Sequence, residues 1–255
     1  MKKVFERTKG LSETPMRYCP GCGHGVVHRL IGEVLLELGV REKTVAVAPV
    51  GCSVFADEYF NCDDIQGPHG RGPAIATGIK RMKPECLVYS YQGDGDLASI
   101  GMAETIHAAN RSENFTIIFI NNAIYGMTGG QMAPTTLLGM KATTCPSGRT
   151  VEANGYPFKM CELLRTLEGV VYLERTSVHA PANVIKTKKA IKNAFTYQLE
   201  GKGFSMVEIL SQCPTDWAMT PPQSIDRIVN EMIPYFPLGI YKSPNPKAKL
   251  MPIEA

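Results

Sequence analysis

Long apolar runs are missing from this sequence. The longest unbroken stretches, such as Ile117 to Ile120, fall far short of the ~20 residues that cross a bilayer. Charge of one sign is missing too: 27 basic against 24 acidic residues leave a net +3. No lysine–arginine cluster rises above the background to mark a nucleic-acid surface. Internal repeats and low-complexity linkers are likewise absent. The opening residues, Met1 to Arg7, are charged and lack the apolar core of a signal peptide. These gaps together predict a soluble, cytoplasmic chain with no nucleic acid and no membrane among its partners. What is present is ordinary for a globular protein: 255 residues, 44% hydrophobic and 20% charged. That composition excludes disorder, collagen and coiled coil. The length suits one large domain or two small ones.

Eight cysteines stand out against this background: Cys19, Cys22, Cys52, Cys62, Cys86, Cys145, Cys161 and Cys213. In a reducing compartment they stay thiols, and the pair Cys19-Pro20-Gly21-Cys22 then points to metal or redox work.

Short apolar strands alternate with amphipathic helices along most of the chain. Val26, Val27, Leu30, Ile31, Val34, Leu35 and Leu38 recur at helical spacing before Gly39 ends the pattern. Strands are expected at 44–50, 86–91, 115–120, 170–173 and 205–210, with helices near 73–82, 97–109 and 182–199. Strands that are apolar throughout and separated by helices predict an α/β fold, a doubly wound and mainly parallel sheet covered on both faces. Ligands in such sheets gather at the carboxyl ends of strands. Gly51-Cys52, Gly93 to Asp96 and Asn121-Asn122 all sit there. From Pro214 the chain carries eight prolines, which predicts an extended tail over 214–255 beyond a main domain of 1–213. Residues 1–18 read as an N-terminal arm.

Gly93-Asp94-Gly95-Asp96 and Asn121-Asn122-Ala123-Ile124 offer a carboxylate and an amide oxygen at neighbouring strand ends. Hard oxygen ligands of this kind suit Mg²⁺, which keeps positions open for substrate phosphates. Glycines let the backbone approach a phosphate, and a following helix N-terminus favours the negative charge. A GDG followed some thirty residues later by NN resembles the fingerprint of thiamine diphosphate enzymes. The resemblance implies Mg²⁺ held by Asp94, Asn122 and the Ile124 carbonyl, with Gly93, Gly95, Asp96, Gly126, Met127 and Thr128 at the cofactor.

For Cys19, Cys22, Cys52 and Cys213, spacing alone leaves zinc, an iron–sulfur cluster and no metal open. The wider context resembles one family over roughly residues 15 to 216. CPGCGHG near the start, GCS after the next strand, His69-Gly70-Arg71, GDGD, NNAIYGMTGGQ and a late Cys-Pro are similar to the β subunit of 2-oxoacid:ferredoxin oxidoreductases. That resemblance implies a [4Fe-4S] cluster on the four cysteines, with Val50, Gly51, Cys52, Ser53, His69, Gly70 and Arg71 lining the cofactor. It implies thiamine-dependent oxidative decarboxylation of a 2-oxoacid to acyl-CoA and CO₂, the electrons leaving through the cluster to ferredoxin. Only the diphosphate-binding half of a thiamine enzyme is legible here. The activating glutamate is therefore expected from a partner α subunit, and the catalytic residue of this chain stays unassigned; γ and δ subunits are further candidate partners of the complex. Some family members carry a lysine three residues after the cysteine matching Cys52. Phe55 stands at that position, which favours a branched-chain 2-oxoacid, with 2-oxoglutarate a close rival. Two other readings stand beside this one, a non-redox thiamine diphosphate decarboxylase or synthase half-subunit and a zinc-binding structural scaffold.

Cys62, Cys86, Cys145 and Cys161 match nothing in the family pattern. Cys86 reads as a core residue, while Cys62 and Cys145 lie near candidate ligand loops. His24 reads as a cofactor contact or a turn donor, and His28 and His107 as structural helix residues. Lys186, Lys188, Lys189 and Lys192 read as a solvated helix face onto which an acidic carrier could also dock.

Overall fold

The computed structural model describes residues 6–252. The first five residues of the expected arm and the last three of the tail lie outside them. The chain opens into α1 (His24–Glu37), β1 (Thr44–Pro49), α2 (Ala56–Tyr59), β2 (Asp63–Gly67), α3 (Gly72–Met82) and β3 (Leu87–Gly93). A π-helical turn over Asp96–Ile100 leads into α4 (Met102–Asn110) and β4 (Thr116–Asn121). A long looped stretch carrying α5 (Val151–Asn154) and α6 (Met160–Arg165) precedes β5 (Val170–Ser177), α7 (Pro181–Leu199) and β6 (Phe204–Leu210). The C-terminal region adds α8 (Pro221–Arg227), α9 (Ile233–Tyr235) and β7 (Gly239–Lys242).

The seven strands form one sheet in the order β2-β1-β3-β4-β6-β5-β7. All pairs are parallel except β5 with β7. Because side chains alternate across a strand, Ile118 and Ile120 of β4 pack with α1 and α7, whereas Ile117 and Phe119 pack with α3, α4 and α6. Both faces are therefore covered, and the strands read as continuous apolar runs for that reason. Removing one buried ring such as Phe119 by mutation to Ala would cost about 3–5 kcal/mol. A third apolar cluster, around Leu137, Met140, Trp217, Ile228, Met232 and Phe236, closes over the strand ends from the C-terminal side. None of the described helices is long and apolar enough to cross a membrane.

The sheet, its strands and the three long helices of the N-terminal half lie where the sequence pattern puts them. Two strands escape it. β2 is an edge strand with four of its five residues exposed, so it carries no apolar alternation. β7 follows a proline-rich stretch. The C-terminal region is correspondingly not extended throughout. Thr220 caps α8 in a reciprocal box with Gln223, and Pro221 occupies the first turn, where its missing N–H costs nothing. β7 then pairs with β5 at the sheet edge, and the segment packs on this same chain. The lysines of α7 are partly engaged: Lys188 meets Glu33 and Glu37 of α1, each at 2.7 Å, and Lys192 meets Glu37 at 2.9 Å.

Candidate active site

The carboxyl ends of β1, β3 and β4 open into a cavity of about 330 Å³, within the range of small-molecule sites. Val50–Ser53 line it after β1, Gly93–Asp96 after β3, and Asn122, Ile124 and Gly126–Thr128 after β4, with His69 at one side. Most residues named from the sequence for the cofactor thus share one wall.

The strand-end turns are held rigidly. Ala123 has φ +58°, a left-handed conformation unusual for a residue with a Cβ. It is fixed from both sides, its N–H donating to Asn121 Oδ1 at 3.2 Å and its carbonyl accepting from Thr136 Oγ1 at 2.6 Å. This bend sends the Ile124 N–H to Asp94 Oδ2 at 3.1 Å. Thr135 Oγ1 donates to the same oxygen at 2.6 Å and the Gly95 N–H to Oδ1 at 2.8 Å. The Asn122 side-chain amide stands 2.7 Å from the Ile124 carbonyl oxygen and 3.3 Å from Asp94 Oδ1. Turned nitrogen-first, it donates to both. Turned oxygen-first, it makes three oxygens converge with no hydrogen between them, the donor set of a hard divalent cation. Burial pushes the Asp94 carboxyl up to about 7, against the hydrogen bonds it accepts. A carboxylate so desolvated is one that a cation would stabilise. At Gly95, any Cβ would overlap the Tyr125 ring, so the turn can pass beneath that ring only as glycine.

Asp96 anchors the π-helical turn. Its Oδ1 accepts the Gly70 N–H at 2.6 Å and faces His69 Nδ1 at 2.7 Å, and Oδ2 accepts from Gln92. The bond to Asp96 raises the His69 pKa above its ordinary value, the bond outweighing partial burial. Gly70 is therefore a backbone support for Asp96, and Arg71 points elsewhere, pairing with Glu104 of α4. Neither of these two lines the cavity.

The four cysteines come from three separate segments. Cys22 N–H donates to the Cys19 carbonyl at 3.0 Å, closing the CxxC turn. Gly23 N–H then reaches the Gln212 carbonyl at 3.5 Å, beside Cys213. Gly126 sits between the walls: a Cβ there would stand 3.2 Å from Cys52 Sγ, 3.7 Å from Cys213 Sγ and 3.3 Å from Asp216 Oδ2. Burial pushes the Cys22 thiol up to about 11 and Cys52 up to about 12, and each also feels the charge of neighbouring cysteines and Asp216. Among the described residues, no three His, Cys, Asp or Glu side chains stand close enough to hold a single metal ion. Cys62, Cys86, Cys145 and Cys161 lie apart, packed into the apolar clusters.

Beneath the cysteine wall lies a ring stack that sequence reasoning found only in part. His24 lines the cavity, its Nδ1 2.6 Å from the Tyr91 hydroxyl. Tyr18 stacks on His24 with centroids 4.8 Å apart, and its hydroxyl reaches His28 Nε2 at 2.7 Å and the Cys52 carbonyl at 3.1 Å. Burial pushes His24 down to about 4, so it stands neutral at pH 7. His28 is buried within the same stack, and His107 is exposed on α4. Phe55 packs edge-on against Tyr18 and is not part of the cavity lining. Thr135, Trp217 and Asp216 were also missed; nothing local marks them. Deeper still, Asn121 Nδ2 donates to Glu208 at 2.8 Å, and Glu208 pairs with the buried Arg175 at 2.8 Å. Arg175 pairs in turn with Glu162 at 2.6 Å.

Known proteins match this arrangement. The family described as thiamine pyrophosphate enzyme, C-terminal TPP binding domain, matches residues 49–209. A ketoisovalerate oxidoreductase subunit VorA from Methanothermobacter marburgensis is 50% identical over 242 residues, 95% of this chain and 51% of that protein. A 2-oxoglutarate synthase subunit KorB from Methanocaldococcus jannaschii is 40% identical over 203 residues, covering 79% of this chain and 70% of that protein. Among solved structures, a 2-oxoglutarate:ferredoxin oxidoreductase from Magnetococcus marinus, with 2-oxoglutarate, coenzyme A and succinyl-CoA bound, superposes with a TM-score of 0.76. It is 26% identical, the match covering 98% of this chain and 88% of that one. The chain spans about half the length of the VorA relatives it matches.

Proposed function

Because this chain belongs to the thiamine diphosphate-binding β subunits of the 2-oxoacid:ferredoxin oxidoreductase family, we propose that it forms the cofactor half of such an enzyme. The observation that carries the proposal is the convergence of Asp94, Asn122 and the Ile124 carbonyl at one edge of a cavity whose other wall carries Cys52. The reaction is 2-oxoacid anion plus coenzyme A plus two oxidised ferredoxins giving acyl-CoA, CO₂, one proton and two reduced ferredoxins.

The residues present fit the groups the family implies. Asp94, Asn122 and the Ile124 carbonyl would hold Mg²⁺ against the diphosphate, and Gly95 lets the backbone come close. Cys19, Cys22, Cys52 and Cys213 supply soft thiolates of the kind a [4Fe-4S] cluster takes, and Gly126 leaves the space between them open. Thiamine diphosphate bound there supplies the carbanion chemistry and electron sink for loss of CO₂. The cluster offers a one-electron exit beside it. Within this chain, Asp96 fixes the π-helical turn and His69, and neutral His24 presents a hydrogen-bonding nitrogen into the cavity. The glutamate that activates the thiamine ring comes from a partner subunit, so the chain alone is inactive.

A branched-chain 2-oxoacid is the proposed substrate. Higher identity to ketoisovalerate oxidoreductase subunits than to 2-oxoglutarate synthase subunits supports it. The test is ferredoxin reduction by the complete complex with coenzyme A and 2-oxoisovalerate, 2-oxoglutarate or pyruvate. We expect the highest kcat/KM with 2-oxoisovalerate. A higher value with 2-oxoglutarate overturns the substrate. No turnover with any of them, thiamine diphosphate being bound, overturns the activity.

A further inference from the structure

Asp216 is the one carboxylate seated on the cysteine wall among the described residues, and nothing above gives it a role. It stands on the turn that follows Cys213, a turn closed by the Trp217 N–H donating to the Cys213 carbonyl at 3.1 Å. The Trp217 indole Nε1 donates to the Asn122 carbonyl at 3.1 Å, which pins the turn to the strand ends. The carboxylate is thereby held with Oδ2 3.2 Å from Cys213 Sγ. The same oxygen and Cys52 Sγ both border the Gly126 position. Arg227 lines a surface groove together with Asp216, but it pairs with Glu231 at 3.3 Å and leans over the Trp217 ring. It does not neutralise Asp216.

Resting on the cluster reading above, we infer that Asp216 is a positioning residue that sets the reduction potential of the cluster on Cys19, Cys22, Cys52 and Cys213. A negative charge 3.2 Å from the Cys213 sulfur would repel the electron that converts [4Fe-4S]²⁺ to [4Fe-4S]⁺. A cluster held there would let the two electrons released per 2-oxoacid leave one at a time, each to one ferredoxin. A lower potential makes the cluster a stronger donor to that acceptor. Charge and hydrogen bonds beside ligand sulfurs are the means by which proteins tune such clusters.

The test is an EPR-monitored redox titration of the complete complex, purified without oxygen, for wild type, Asp216→Asn and Asp216→Glu. The signal of this cluster is the one lost in Cys22→Ala. Asp216→Asn should shift the midpoint to less negative potential with iron content unchanged, and Asp216→Glu should stay near wild type. A wild-type midpoint in Asp216→Asn at full iron content overturns the inference. So does loss of iron from both variants, since Asp216 would then hold the cluster rather than tune it. A wild-type complex with no iron overturns the cluster reading itself, a separate failure.

Discussion

At the ends of β3 and β4, the polar groups around Asp94 already have partners, and a left-handed Ala123 is clamped to keep them there. The cysteine wall is different. Its cysteines come from the CxxC turn and two further segments, and burial holds Cys22, Cys52 and Cys213 as protonated thiols. One half of the site is held in place by the sheet, and the other is gathered from loops. The difference follows from construction. Strand ends inherit the rigidity of seven paired strands, whereas thiols gathered from loops pay desolvation until a metal replaces their protons.

If the halves are built independently, mutations should separate them. Asp94→Asn should weaken Mg²⁺-dependent thiamine diphosphate binding by at least roughly 100-fold, since a ligand outweighs the 10–100-fold of an outer-shell partner. Calorimetric titration reads this, and iron content should not change. Cys22→Ala should do the reverse, abolishing bound iron while thiamine diphosphate affinity stays within about tenfold, or 1.4 kcal/mol. Loss of both ligands in either variant would dissolve the distinction.

A deeper change should sharpen it. Glu208→Gln breaks a fully buried pair with Arg175 and loosens the support of Asn121. Denaturant unfolding should show a loss of about 3–5 kcal/mol. Thiamine diphosphate binding should weaken about tenfold or more through the turn, with the iron-to-chain ratio of the folded fraction intact. The smallest effect belongs to neither half. Lys188→Ala removes the two ion pairs that Lys188 makes with α1 and should cost under about 1 kcal/mol. Lys188 and Lys192 hold the Glu37 carboxyl below its ordinary value. Their contribution is therefore present above the unfolded Glu pKa of about 4.3 and fades as pH falls through the lowered folded value. The stability gap between variant and wild type should close in acid.

Much of the strand-end half was legible because sequence-local rules govern it. Apolar strands, glycines and the paired motifs sit within a few residues of the atoms they place. The cysteines were legible through their resemblance, and Gly126 faces Cys52 and Cys213 together. What escaped is tertiary. Thr135 reaches Asp94 from a distant loop, and Arg175 meets Glu208 across neighbouring strands. Asp216 acquires its setting only when Trp217 docks on Asn122. β2 was invisible because an exposed acidic edge strand has no apolar period. The helix at Pro221 did leave a trace, Thr220 followed three residues later by Gln223, but the surrounding prolines outweighed it. Arg71, grouped with its two neighbours by motif, serves an ion pair with Glu104 instead.

The central claim is that the four-cysteine wall carries an iron–sulfur cluster beside the thiamine cavity. Iron, acid-labile sulfide and zinc per chain, measured on protein purified without oxygen, test it most directly. The account predicts about four irons and four sulfides, falling to none in Cys22→Ala. One zinc per chain with no sulfide would contradict it, and would leave the cavity with no electron exit.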